Sequence, residues 1–119
     1  PGFANWIVNG ATTLWENWKG TSSRNHIMFG DFAAWAYAYI AGVRPIEPGF
    51  KRFEVRPRPP SALNHVKATV PTPHGLISVE WRKAEGKFTL RVSVPKGTTA
   101  EVTLPSGEKH VLTGGNHIL

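Results

Sequence analysis

The stretch TTLWENW, residues 12–18, sets one carboxylate, Glu16, between Trp15 and Trp18, two of only five tryptophans in 119 residues. Thr12, Thr13, Arg24, Asn25 and His26 stand close by, all within residues 12–26. Aromatic faces beside hydrogen-bonding side chains are the chemistry of a sugar pocket. The C–H face of a pyranose stacks on an indole, while Asn, His and carboxylates bind its hydroxyls. A carboxylate so placed can serve glycoside hydrolysis, where one carboxyl group is the base and another the acid. The same residues also read as a packed loop whose Glu caps a helix, and their types and spacing leave both readings open. The next acid along the chain is Asp31.

Other self-contained chemistries are missing from the sequence. There is no P-loop, no dinucleotide fingerprint and no HExxH. The absence of cysteine removes disulfides and thiolate metal sites without choosing a compartment, so cytoplasm, periplasm and exterior all stay open. No metal and no cofactor is expected. His65, His74, His110 and His117 are scattered through strand and turn patterns and read as packing residues. No serine is paired in sequence with both a base and an orienting group. No apolar run approaches the roughly 18 residues of a membrane helix, nothing reads as a signal peptide, and no membrane partner is expected.

The elements that must position the cluster fall into two halves with different periods. Residues 1–47 read as helical. In DFAAWAYAYIAG, Phe32, Trp35, Ala36, Tyr39 and Ile40 share one helix face. Asp31 is a candidate N-cap, or the helix starts earlier, near Asn25; Gly42 suits the C′ position and Pro45 prevents continuation. FANWIV reads as the end of another helix. The helix over 31–42 is apolar on nearly every side, which implies burial among helices beyond those visible here, or a self-association surface. From residue 48 the period is two. Phe53 and Val55, Val66, Ala68 and Val70, then Ile77, Val79 and Trp81 alternate with polar residues. Phe88, Leu90, Val92 and Val94 continue the pattern, as do Ala100, Val102 and Leu104. KHVL and HIL are two short final candidates. Turn signals PTPHG, AEG, PKG and PSGE separate six or seven strands, the pattern of an antiparallel β-sandwich. The proline-rich RPIEPGFKRFEVRPRPP reads as a stiff extended joint. The net charge of +6 lies wholly in residues 48–119, with eleven Lys/Arg against five Glu. Those bases are spaced singly along strands, as on a solvated face, and no nucleic-acid partner is expected.

Three blocks then carry a resemblance: NGATTLWENW, SRNHIMFG and WAYAYIAGVRPIEPGFKRFEVRPRP, in that order. They resemble the C-terminal part of bacterial α-L-rhamnosidases, glycoside hydrolase family 78, and the likeness continues through TPHGLISVEW and GKFTLRVSVPKGTTAEVTLP. The resemblance implies an α+β fragment: the end of an (α/α)6 catalytic barrel over residues 1–47, then a C-terminal β-sandwich over 48–119. It implies hydrolysis of terminal α-L-rhamnosides with inversion, and a rhamnose-containing glycan as partner. The Glu of the TTLWE block is the family's general base, which makes Glu16 the base here. The His of the NH pair contacts sugar, which places that contact at His26, with Trp15, Trp18 and Asn25 as pocket lining. The family's general acid lies far upstream. Inverting hydrolysis needs two carboxyl groups roughly 6.5–9.5 Å apart, so the 119 residues alone are expected to be inactive. The loop from Glu16 to His26 is also shorter than in many members. Two further readings concern the sandwich: a carbohydrate-binding module, which requires an exposed aromatic platform, or a structural brace. Trp81, the one Trp of residues 48–119, points inward by its alternation and speaks against the platform.

Overall fold

The structure is a computed structural model that describes residues 2–119, the Phe29 side chain excepted. Pro1, the first residue of the expected helical segment, lies outside the described residues. The chain forms two compact units, Pro1–Ala34 and Trp35–Leu119.

In the first unit, helix α1 spans Phe3–Val8, as FANWIV suggests, and buries Trp6. A 3-10 turn at Ile27–Phe29 precedes helix α2, Asp31–Trp35. Asp31 therefore sits inside the first turn rather than before it, where its charge still faces the unpaired amides of the helix start. The loop between α1 and the 3-10 turn carries the candidate site.

In the second unit the helical path continues as a π-helical turn, Ala36–Ala41. It ends at Gly42, whose φ of 82° is the left-handed cap conformation. A Cβ here would stand 2.2 Å from the Arg56 carbonyl carbon, so only glycine lets the two backbones meet. The Arg56 amide donates to the Gly42 carbonyl at 2.8 Å across this contact.

Among the described residues six strands follow: β1 Val43–Pro45, β2 Arg52–Val55, β3 His65–Thr72, β4 Gly75–Ala84, β5 Lys87–Thr103 and β6 Lys109–Ile118. The expected sandwich strands are present, with three differences of connection. The proline-rich joint is not simply extended: it holds β1 and β2, paired antiparallel around a 3-10 turn at Pro48–Phe50. β2 then pairs with β5 in parallel, Phe53 opposite Ala100 and Val55 opposite Val102, an exception to the antiparallel rule. KHVL and HIL are one strand, β6, which follows β5 through an irregularity between Val94 and Thr99. At that irregularity Thr98 is buried, and its hydroxyl donates to the Pro95 carbonyl at 2.8 Å. The first part of β5 thus serves β4, and its last part serves β2.

The apolar side of this sheet is the core. Phe53, Val55, Ile77, Val79, Trp81 and Leu90 are fully buried, with Val92, Ala100 and Val102 beside them. Each large side chain so buried contributes roughly 1.5–3 kcal/mol. Trp81 also meets its polar requirement, since its indole N–H donates to the Ile40 carbonyl at 2.8 Å. One side chain thereby fills the core and fastens the π-helical turn to β4. The apolar helical segment is only partly covered: Ala41 is buried, whereas Phe32, Trp35 and Tyr37 are 54%, 48% and 44% exposed. No helix among the described residues is long and apolar enough to cross a membrane.

Candidate active site

The loop over residues 12–26 folds back on itself. The His26 amide donates to the Leu14 carbonyl at 2.8 Å, and the Glu16 amide donates to the Ser23 carbonyl at 2.9 Å. The Thr13 hydroxyl donates to the Arg24 carbonyl. Asn17 closes the tip: its side-chain oxygen accepts the amides of Lys19, at 3.1 Å, and Thr21, at 3.3 Å. Asn favours this arrangement because its short amide can imitate a turn of backbone. The result brings His26 opposite Leu14, two residues from Glu16.

Helix α1 fixes the loop from one side. The Trp6 indole N–H donates to the Asn17 carbonyl at 3.1 Å, and the Asn5 side-chain amide donates to the Trp18 carbonyl at 2.9 Å. The Trp6 and Trp18 rings lie 4.7 Å apart, the Trp6 and Trp15 rings 6.4 Å, and Phe3 meets Trp6 edge-on at 5.5 Å. Such aromatic pairs contribute about 0.5–1.5 kcal/mol each beyond the area they bury. Trp15 is 6% exposed, with the Arg24 guanidinium over its ring at 5.1 Å. The Arg24 Nε also donates to the Gly20 carbonyl at 3.0 Å. A Cβ on Gly20 would come within 2.5 Å of the Trp15 ring, so the loop closes tightly on that indole.

Glu16 is half-buried, and its carboxylate is tethered by one oxygen: Oε2 accepts the Ser23 amide at 3.1 Å. Among the described residues its other oxygen has no hydrogen-bond partner. His26 is half-buried and Asn25 exposed. The loop therefore gathers the five residues singled out in the sequence, with different surroundings. Glu16 and His26 are half-buried and Asn25 is exposed, whereas Trp15 and Trp18 belong to the aromatic cluster. Sequence reasoning missed three supports, namely Ser23, Asn17 and Asn5. The turn signature of Asn17 with Gly20 three residues later was available for one of them; the other two act through contacts that no spacing encodes.

A helical segment carrying a tethered acid on an aromatic-backed loop thus precedes a mixed six-stranded sheet. Residues 1–40 match the bacterial alpha-L-rhamnosidase 6 hairpin glycosidase domain, and residues 42–118 match the bacterial alpha-L-rhamnosidase C-terminal domain. The chain belongs to the bacterial α-L-rhamnosidase family. An alpha-L-rhamnosidase of Streptomyces avermitilis is 36% identical over 118 residues, covering 87% of this chain and 12% of that protein. The crystal structure of native α-L-rhamnosidase from Aspergillus terreus matches 100% of this chain and 15% of its own, with a TM-score of 0.88 and 31% identity. That of the Streptomyces avermitilis enzyme complexed with L-rhamnose covers 94% of this chain and 14% of its own, with a TM-score of 0.84 and 31% identity. The chain thus spans about one eighth of the length of the Streptomyces relative.

Proposed function

We propose that these residues supply the general base and the C-terminal sandwich of an inverting α-L-rhamnosidase. Glu16 takes the proton of the water that attacks the anomeric carbon. His26 and Asn25 hold sugar hydroxyls, and Trp15 and Trp18 form the wall behind the loop that presents them. The carrying observation is the Glu16 carboxylate, tethered through Oε2 to the Ser23 amide with its second oxygen unclaimed. A base held by one oxygen has a fixed direction for the other, which is what proton transfer from a positioned water needs.

The acid is assigned to sequence outside these 119 residues, because Asp31, the next acid, is an exposed residue in the first turn of α2. On this reading residues 1–47 belong to the catalytic domain, and residues 48–119 brace it rather than bind glycan through stacking. The inward Trp81, 0% exposed, supports the bracing role.

The test is Glu16→Gln in the full-length enzyme carrying this sequence. The rate on an aryl α-L-rhamnoside is expected to fall by about 10²–10⁴-fold, with the melting temperature unchanged. A variant that keeps its rate overturns the base assignment.

A further inference from the structure

The outer face of β4 and β5 carries a feature that the catalytic reading leaves unused. Alternation turns Ser78, Glu80 and Arg82 of β4, with Thr89 and Arg91 of β5, away from the core. Between the strands lies a groove of about 460 Å³, lined by Glu80, Arg82, Glu85, Lys87, Thr89 and Arg91 among others. A second groove, of about 250 Å³, continues past Glu80 and Arg91 to Ser78, Ser93 and Asn116. Glu80 and Arg91 are direct cross-strand partners and line both grooves.

The charges of this trough are unevenly committed. Around β1 and β2 the cations are occupied: Arg44 pairs with Glu54, and Arg52 bridges Glu47 and Glu101. In the trough, Glu80 is held by His65 at 3.1 Å and Arg82 at 3.3 Å. Arg91, although in register opposite Glu80, has no ion pair or side-chain hydrogen bond among the described residues, and neither does Lys87. A guanidinium presents a planar fork that matches a carboxylate bidentately, and an ammonium adds a second point charge. Hydroxyl and amide groups from Ser78, Thr89, Ser93 and Asn116 line the same surface. No Trp, Tyr or Phe ring lines either groove, and the one imidazole, His117, is tied to the Thr113 carbonyl at 2.7 Å, so the aromatic platform by which proteins hold single-stranded nucleic acid is missing.

We propose that this trough binds uronic-acid oligosaccharides, with Arg91 and Lys87 taking carboxylates and Ser78, Thr89, Ser93 and Asn116 taking hydroxyls. Glu85, which lines the first groove, is an uncommitted carboxylate among the described residues, so the anion follows from two uncommitted cations against one acid. That a sugar carries it rests on the reading of this chain as part of a glycosidase. The site shares no residue with the Glu16 loop and its test involves no turnover, so either reading can fail while the other stands.

The experiment is an NMR titration with tetragalacturonate of the ¹⁵N-labelled chain carrying Phe32→Ser and Tyr37→Ser, which lie outside the trough and reduce self-association, with calorimetry on the full-length protein as the parallel measurement. Amide signals of residues 78–82 and 89–93 are expected to move saturably, and the affinity to weaken with added salt. Arg91→Gln is expected to lower the affinity about tenfold, the loss of one charge-assisted hydrogen-bonding group. Its spectrum elsewhere should stay unchanged, since the side chain is exposed, and Lys87→Gln provides a second variant. The proposal is overturned by any of several results: no movement, equal movement with the fully methyl-esterified tetramer, or equal movement with acetate at matched carboxylate concentration. Tighter binding of a duplex oligonucleotide to the same amides, or an Arg91→Gln variant that binds as before, overturns it too.

Discussion

At the scale of single residues the chain depends on how its carboxylates are held. Glu16 is tied through one oxygen to the Ser23 backbone amide, a donor that only proline at that position would remove. His26 differs, because its backbone amide holds the loop while its half-buried ring makes no hydrogen bond among the described residues, which fits the sugar contact proposed for it. In the full-length enzyme His26→Ala is therefore expected to raise KM for an aryl α-L-rhamnoside about tenfold, with a smaller change in kcat. Steady-state kinetics would check this, and an unchanged KM would count against sugar contact. Glu80 titrates differently from an ordinary carboxylate. The hydrogen bond from His65 holds its carboxyl below the usual range, against desolvation, and Arg82 adds to the effect. A depressed native pKa means that the native state resists protonation more than the unfolded state does. The stabilisation is thus full above the ordinary carboxylate pKa of about 4.3 and fades as pH falls through the lower native value. Wild type should melt above Glu80→Gln near pH 6, and the gap should close towards pH 3. A gap independent of pH in thermal denaturation would contradict the assignment.

At the scale of elements the decisive joints are places where backbone meets backbone or a ring meets a carbonyl. Gly42 ends the π-helical turn with a positive φ and lies against Arg56. Gly42→Ala combines the left-handed penalty with a collision that neither backbone can relieve. It is expected to cost at least about 2 kcal/mol, a fall of about 8 °C or more in melting temperature. A variant melting within a degree or two of wild type would show that the turn can re-form elsewhere. Trp81 is the complementary joint, since its ring fills the core and its N–H holds Ile40. Trp81→Phe is expected to lose both the hydrogen bond and part of the packing, and to destabilise more than Val66→Ala at the half-buried edge. Chemical denaturation of the two variants would rank them.

At the scale of the whole molecule the half-exposed apolar side chains of the helical segment dominate. Phe32, Trp35 and Tyr37 are each close to half exposed, on a helix whose remaining faces are also largely apolar. A surface of this kind drives association in water. The 119-residue chain alone is expected to sediment as a concentration-dependent oligomer, and Phe32→Ser with Tyr37→Ser to shift it towards monomer. Sedimentation velocity would show this, and a monomer at every concentration would exclude the helix as a contact. In the full-length enzyme, deletion of residues 48–119 should lower soluble yield more than the rate per folded molecule, as a brace requires.

The sequence by itself determined the parts that are periodic or locally encoded. The inward positions of Ile77, Val79, Trp81, Leu90 and Val92 follow from alternation, because side chains of a strand point to opposite faces. The end of the helical segment at Gly42 follows from the one residue type that accepts its φ at no cost. The family was legible from the order of three blocks. Only the tertiary structure decided the parallel pairing of β2 with β5, the joining of KHVL and HIL in one strand along an irregular β5, and the tether of Glu16 to Ser23. These depend on contacts between residues far apart in the chain, and local pattern does not specify which strand lies beside which. The two tryptophans flanking Glu16 have the same residue type as a sugar platform. What sets them against Trp6, with Glu16 left tethered and accessible, is the packing of α1 on the loop, which the spacing of TTLWENW does not contain.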